Sequence, residues 1–300
     1  MNNSLPLSWQ YHFKTESFKI VKVRKDLVWI STGKVKSFSC IKNKIAAKHL
    51  SAFLIRGCNK YHFDDIKDIT IHKFLTGNEA LLRTSFPHFN KKSLKELILR
   101  GEKRLRFKEI IFSEETSDLI SEFLRETRHA EKPQLQNLFL SEADSLQRIF
   151  VVIDYNENWQ GLISISCNSE KKVHTELLSK NKKAPQGTME FLIKSVFDKL
   201  KSEGIEFISL GEVPFYNLHN TRLTFLENLF LLSGRIINFA YNSKGLYNFK
   251  KKFNPFWNET YMISSKKLNI FDLWYLMKST NLLNLIRDQI KTRFLKTVSS

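Results

Sequence analysis

Apolar residues recur at every second position in some stretches of the chain and every three to four positions in others, and the two periods alternate along it. Phe18–Ile30 alternates in two short runs (Phe18 and Ile20, Val21 and Val23, then Leu27 and Trp29), which predicts one or two strands. Ile41–Leu54 reads as a helix followed by a strand, and Ile69–Phe74 as another short strand, so the first region resembles a small α/β unit. After the turn Pro87-His88-Phe89-Asn90, a helix is predicted over Leu94–Arg100, with Asn90 or Ser93 placed to cap it. Phe107–Phe112 is strand-like, and Glu115–Arg128 is helical, with Leu119, Ile120, Phe123 and Leu124 on one face. Arg148–Ile153 and Gly161–Ser166 predict a hairpin around Tyr155-Asn156-Glu157-Asn158. A helix over Gly187–Gly204 then leads to a strand at Ile205–Leu210, a helix at Leu223–Leu232, a strand at Ile236–Tyr241 and a last strand at Tyr261–Ile263. Helix, hairpin, helix, strand, helix, strand is the order of a mixed α/β unit.

The tail, Leu268–Val298, mixes apolar residues (Phe271, Leu273, Trp274, Leu276, Leu282, Leu285) with Lys278, Arg287, Lys291 and Lys296. It predicts one or two amphipathic basic helices, suited either to a lipid headgroup region or to docking on the protein core. Charge sharpens this picture. The chain carries 48 Lys+Arg against 30 Asp+Glu, a formal net charge of +18, which favours a polyanionic partner such as nucleic acid or an anionic membrane. With 42% hydrophobic residues it has enough apolar surface for a substantial core. Cys40, Cys58 and Cys167 are widely spaced and include no C-x-x-C pair, so neither a disulfide framework nor a zinc site is expected. No metal spacing appears among the histidines. Met1–Gln10 lacks the pattern of a signal peptide, and no apolar run reaches the ~18 residues of a membrane span, so a cytoplasmic protein with at most peripheral membrane contact is expected.

Four segments carry candidate chemistry. Lys91–Lys108 is densely cationic, and Lys91, Lys92, Lys95, Arg100 and Arg104 are candidate phosphate contacts. In Ala184–Leu192, Gly187 gives turn freedom and Thr188 can cap the following helix, leaving N-terminal amides for an anion. Ser209–Phe215 ends a strand with Gly211 and Pro214, which would splay the sheet, and it places Glu212 either near the resulting cleft or on the surface. Tyr241–Trp257 interleaves aromatic residues with lysines. Lys250 and Lys252 share a face if it is extended and take separate roles if it is helical.

Together these segments resemble the C-terminal catalytic domain of the phosphatidylglycerol lysyltransferase family. Tyr241, Asn242, Gly245, Leu246, Phe249, Lys250, Lys252, Phe253, Pro255 and Trp257 match its last motif, where Ser243 and Tyr247 replace a phenylalanine and an arginine. Leu210, Gly211 and Pro214 match a second motif. Glu176 keeps the carboxylate of a third, while Ser179 replaces its arginine. Lys182–Thr188 stands where ordinary GNAT enzymes carry their coenzyme A pyrophosphate loop.

The resemblance implies tandem GNAT-like α/β domains with mixed central sheets: a degenerate one over residues 1–88, a catalytic one over 89–265, and a basic C-terminal helix over 266–300. It implies transfer of an aminoacyl group from charged tRNA to a lipid hydroxyl, with phosphatidylglycerol foremost and no cofactor or metal. The implied partners are aminoacyl-tRNA and anionic phospholipid. Lys250 takes the electrostatic role, Glu176 meets the aminoacyl ammonium, and the Gly187–Thr188 amides assist at the oxyanion. Lys252, Glu212, Tyr241, Asn242, Phe253 and Trp257 are assigned to substrate binding. Rival expectations are a GNAT-fold N-acyltransferase with another donor, and a non-catalytic module binding lipid or RNA.

Overall fold

Residues 148–153 show how the apolar pattern becomes a layered structure. Phe150 and Val152 point into one hydrophobic cluster, while Ile149, Val151 and Ile153 point into another on the opposite face. A strand with both faces apolar belongs inside a sheet covered on two sides. The computed structural model of the 300-residue chain describes residues 19–31, 52–64, 70–128, 130–138, 147–214, 223–236 and 240–298, with Leu7, Asn43, Ala46 and Tyr216.

Ten strands are described: β1 (Lys19–Arg24), β2 (Leu27–Ser31), β3 (Phe53–Cys58), β4 (His72–Arg83), β5 (Arg106–Ile110), β6 (Arg148–Ile153), β7 (Trp159–Ser169), β8 (Lys172–Lys180), β9 (Phe207–Pro214) and β10 (Phe256–Ser264). They form one mixed sheet in the order β1-β2-β3-β10-β4-β9-β8-β7-β6-β5. The helices are α1 (Lys60–Asp64), α2 (Lys92–Glu102), α3 (Glu114–Arg125), α4 (Thr188–Ser202), α5 (Phe225–Ile236), α6 (Ser243–Lys251), α7 (Ile270–Ser279) and α8 (Leu282–Val298). This is the GNAT-like α/β class expected from the sequence. The last strand, β10, returns to lie between β3 and β4, so early and late parts of the chain share one unbroken sheet.

Leu94 of α2 and Leu192, Ile193, Val196 and Leu200 of α4 enter the cluster with Phe150 and Val152, whereas Ile120 and Phe123 of α3 enter the opposite one. The β8–β9 pairing positions the site. It is parallel and joins only Lys172–His174 to Phe207–Ser209. Beyond His174 and Ser209, β8 stays paired with β7 and β9 with β4, so the two strands part. Gly211 sits just past this point with φ 84°, a conformation that side-chain-bearing residues rarely adopt.

Several expectations shift. β8 is a full strand that was not anticipated. β4 runs to Arg83 rather than stopping near residue 74. The strand expected over 236–241 is absent among the described residues: α5 runs through Ile236, and Ala240 and Tyr241 lie in a turn and bend. The helix expected from residue 41 falls largely outside the described residues. The tail forms two helices. No described helix is long and apolar enough to cross a membrane.

Gly187 and Gly101 let α4 and α2 meet backbone to backbone. Gly187 has φ 92°, and a β-carbon there would collide with the carbonyl oxygen of Leu97; one on Gly101 would lie 2.7 Å from Gly187 O. Gly204 also has positive φ, 82°, but faces open space. Gly187→Ala is therefore expected to lower stability by several kcal/mol, and Gly204→Ala by only about 1 kcal/mol. Denaturant unfolding of both variants checks this, and equal losses would contradict the packing role.

Candidate active site

Where β8 and β9 separate, the structure buries an unusual set of polar groups. The Lys250 side chain descends from the last turn of α6, only 3% exposed, and its Nζ donates to Glu212 O at 3.1 Å. A β-carbon on Gly211 would sit 3.5 Å from that Nζ and 3.7 Å from His174 Cε1, so amine, imidazole and glycine line one spot in the opening. Burial pushes the Lys250 amine down to about 7; the negative charges of Glu212 and Glu79 only partly offset this. Among the described residues, no carboxylate hydrogen-bonds this amine directly; the partner is a backbone carbonyl.

A network that sequence reasoning missed lies beneath it. His174 Nδ1 is 3.0 Å from Ser209 Oγ, which also accepts from Gly211 N–H at 3.1 Å. The Ser209 hydroxyl in turn bonds Glu79, and Lys172 Nζ lies 2.9 Å from Glu79 Oε1. Burial pushes His174 down to about 3, so it is neutral. Burial alone would raise the Glu79 carboxyl, but Lys172 and Ser209 outweigh it and hold it below the usual value. Ser209 is fully buried and its oxygen is engaged, so this constellation braces the opening rather than presenting a nucleophile. The residues are far apart in sequence, and only recognition of β8 as a strand would have brought His174 beside Ser209.

Glu176 lies two residues beyond His174 on β8, at a register shift of the β7–β8 pairing; it is buried and accepts at 2.5 Å from the Oγ of Ser166, the cross-strand partner of His174. Glu212, placed by sequence either near a cleft or on the surface, is half-buried in a strand-crossing network. Its Oε1 accepts from Thr76 Oγ1 at 2.6 Å and Thr260 Oγ1 at 2.8 Å, and its Oε2 pairs with Arg56. Tyr241 is partly buried, and burial pushes its phenol up to about 12, with Arg56 and Glu212 acting on it electrostatically.

The segment after Tyr241 is helical, which separates its lysines. Asn242 is the N-cap of α6, its Oδ1 accepting from Gly245 N–H at 2.7 Å, and a β-carbon on Gly245 would strike that side chain. Phe253 is fully buried with Phe89 and Phe249. Trp257 stacks on Tyr247 at 4.9 Å, and Tyr247 meets Tyr216 at 4.9 Å, so the tyrosine that replaces the family arginine joins an aromatic ladder. Lys252 points outward to Glu190 Oε1 of α4, 2.8 Å away.

Lys252 also lines a cleft of about 360 Å³ with His88, Asn90, Lys91, Asn248, Lys251 and Asn254. His88 is fixed there: its Nε2 accepts from Arg83 N–H at 2.8 Å and its Nδ1 lies 2.9 Å from Asn254 O. Burial lowers its pKa, despite these hydrogen bonds. Of the cationic candidates, Lys91 joins this cleft, Lys92, Lys95 and Arg104 are exposed, and Arg100 donates to Gln186 Oε1 at 2.7 Å. Gly187, rather than Thr188, is the N-cap of α4. Thr188 is buried and sends both its hydroxyl (2.7 Å) and its N–H (3.4 Å) to Pro185 O. Among the described residues, no cluster of His, Cys, Asp and Glu is arranged to hold a metal.

The model of one family, phosphatidylglycerol lysyltransferase, C-terminal, matches residues 44–264. In structure the chain is similar to L-PGS from Bacillus licheniformis, at 18% identity and TM-score 0.69, covering 87% of this chain and 84% of that one. It is similar to a C-terminal domain assigned to a lysylphosphatidylglycerol synthetase from Agrobacterium fabrum, at 18% identity and TM-score 0.68, covering 88% and 85%. FemX shares the fold more distantly, at 9% identity and TM-score 0.55, with 87% and 85% covered. No curated relative matches the chain in sequence. With the family match spanning most of its length, this GNAT-like chain belongs to the family of phosphatidylglycerol lysyltransferase C-terminal domains.

Proposed function

We propose that the chain transfers an aminoacyl group from charged tRNA to a hydroxyl of a membrane lipid, with phosphatidylglycerol as the acceptor. The observation that carries this is the buried Lys250 amine, poised near pH 7 in the opening between β8 and β9. The acceptor hydroxyl lies against the donor's ester carbonyl in that opening. Neutral Lys250 takes the hydroxyl proton as the lipid oxygen bonds to the ester carbon, and the resulting ammonium faces the tetrahedral oxyanion. Collapse breaks the bond to the tRNA ribose oxygen, which receives the proton back. One ester replaces another, so no ATP enters this step. Glu176, bonded to the cross-strand partner of His174, receives the aminoacyl ammonium group. Lys91, Lys251 and Lys252 meet phosphates of tRNA or lipid in the outer cleft. Gly187 and Thr188 contribute by seating α4, and with it Glu190, against Lys252.

The direct test supplies purified chain with aminoacyl-tRNA and phosphatidylglycerol and reads the lipid product by mass spectrometry. A new aminoacyl lipid is expected; acylation from acyl-CoA instead would move the chain to another donor class. Lys250→Met is expected to cut turnover about 10²–10³-fold. In the unmodified chain the rate should rise with pH through about 7, as the amine loses its proton. A rate that falls across that range would mean the amine acts only as a cation.

The same variant separates chemistry from folding. Lys250 titrates near 10.5 when unfolded and about 7 when folded, so between those values the unfolded chain binds more protons. Its contribution to stability is complete above 10.5 and is lost as pH falls to about 7. Lys250→Met is therefore expected to gain stability over the unmodified chain at and below neutral pH, with the gain shrinking toward 10.5. Paired denaturant titrations across pH read this, and a pH-independent difference would show that the amine is not neutralised on folding.

A further inference from the structure

We propose that the outer face of α7 is a membrane-docking surface that seats the protein on anionic lipid. α7 is apolar almost all round. Leu273 is buried and Leu276 packs beside it in the cluster with Val23, Trp29 and Leu54, so one side is fully engaged by the core. The opposite side presents Ile270, Phe271, Trp274 and Tyr275 to solvent, with Phe271 66% and Trp274 52% exposed. Residues 271, 274, 275 and 278 follow the i, i+3, i+4, i+7 spacing of a single helix face, and position 278 is an exposed lysine. Single exposed apolar residues are ordinary, but four large ones within two turns are not. Phenylalanine, tryptophan and tyrosine beside lysine is the composition that settles at the boundary of headgroups and acyl chains.

Charge identifies the occupant. Asp272 is the only acid of α7, and it is buried, 3.2 Å from Lys266 Nζ and 3.6 Å from Arg24 Nη1, so the outward face carries no negative charge. Lys267 and Lys278 are exposed at its two ends, and α8, packed against α7, exposes Arg287 and Lys291 beside Ile290 and Phe294. A second copy of a chain of net charge +18 would bring like charges together across this face. A bilayer rich in anionic lipid complements it, each nearby cation adding to the attraction at the surface. RNA fits less well, because bases stacked on the aromatic rings would leave the aliphatic Ile270 and Ile290 in water, whereas an acyl-chain boundary buries both kinds of side chain. The surface rests on the lipid acceptor proposed above, and it fixes which side of the molecule meets the lipid.

Flotation of the full chain with vesicles tests it. Binding is expected to vesicles of equal phosphatidylcholine and phosphatidylglycerol, weakly or not at all to phosphatidylcholine alone, and about tenfold or more weaker for Phe271→Ala/Trp274→Ala. These positions are exposed, so folding should persist; unchanged circular dichroism confirms it. Tryptophan emission should be quenched by brominated acyl chains, and Trp274→Phe should retain binding while losing most of that quenching. Unaltered flotation of the double variant, or quenching unaffected by Trp274→Phe, overturns the surface. So does self-association or tRNA binding that the double variant abolishes. Docking without aminoacyl transfer would sink the proposed reaction and leave the surface standing; transfer to detergent-dispersed lipid without docking would do the reverse.

Discussion

Burying an amine without a carboxylate in direct contact is unfavourable, and this fold accepts that cost at one place. Lys250 Nζ meets a backbone carbonyl of β9, with Glu212 and Glu79 acting only at a distance. In a low-dielectric site the neutral form is favoured, which brings a side chain that normally titrates near 10.5 to about 7. Such a group can accept a proton and then hold the charge where an oxyanion forms. The helix cap at Asn242, the left-handed Gly211 and the parting of β8 from β9 all serve to place that one nitrogen.

The opening is held from both sides by different chemistry. On the β8 side, His174, Ser209, Glu79 and Lys172 form a buried chain of hydrogen bonds and one ion pair, so strands that have stopped pairing are still tied together at the fork. On the β9 side, Glu212 gathers Thr76 from β4, Thr260 from β10 and Arg56 from β3. One carboxylate thereby links three strands drawn from the beginning and end of the chain to the strand that receives Lys250. Removing either partner from such a buried network leaves an unpaired charge, so both halves of the fork resist closure or drift.

Much of this was legible in the sequence wherever one period dominated. The hairpin of β6 and β7, the long α4 and the alternation around Trp29 follow directly from apolar spacing. β8 did not, because Thr175 breaks the apolar alternation and Lys171, Lys172, His174, Thr175 and Glu176 read as a polar loop. Their partners lie on strands distant in sequence, and burial is visible only once those strands are in place. β4 was cut short because Gly77 and Asn78 look like turn residues. A β-carbon on Gly77 would in fact press on the Pro214 backbone and Glu212 Oε1, so its glycine marks a close approach inside the sheet. The apolar run ending at Tyr241 reads as a strand by spacing, yet it begins as the end of α5.

The pair Lys250 and Lys252 shows what sequence spacing alone leaves undecided. In an extended segment they would act side by side, and charge counting would treat them alike. Helix α6 turns about 100° per residue, so successive side chains leave in different directions. Lys250 goes inward to the fork, while Lys251 and Lys252 go outward to the cleft they share with Lys91. Desolvation then acts on the first, while Lys252 pairs with Glu190 at the cleft. Helical phase, begun at the Asn242 cap, thus decides which of three consecutive lysines is buried at the fork and which two face the outer cleft.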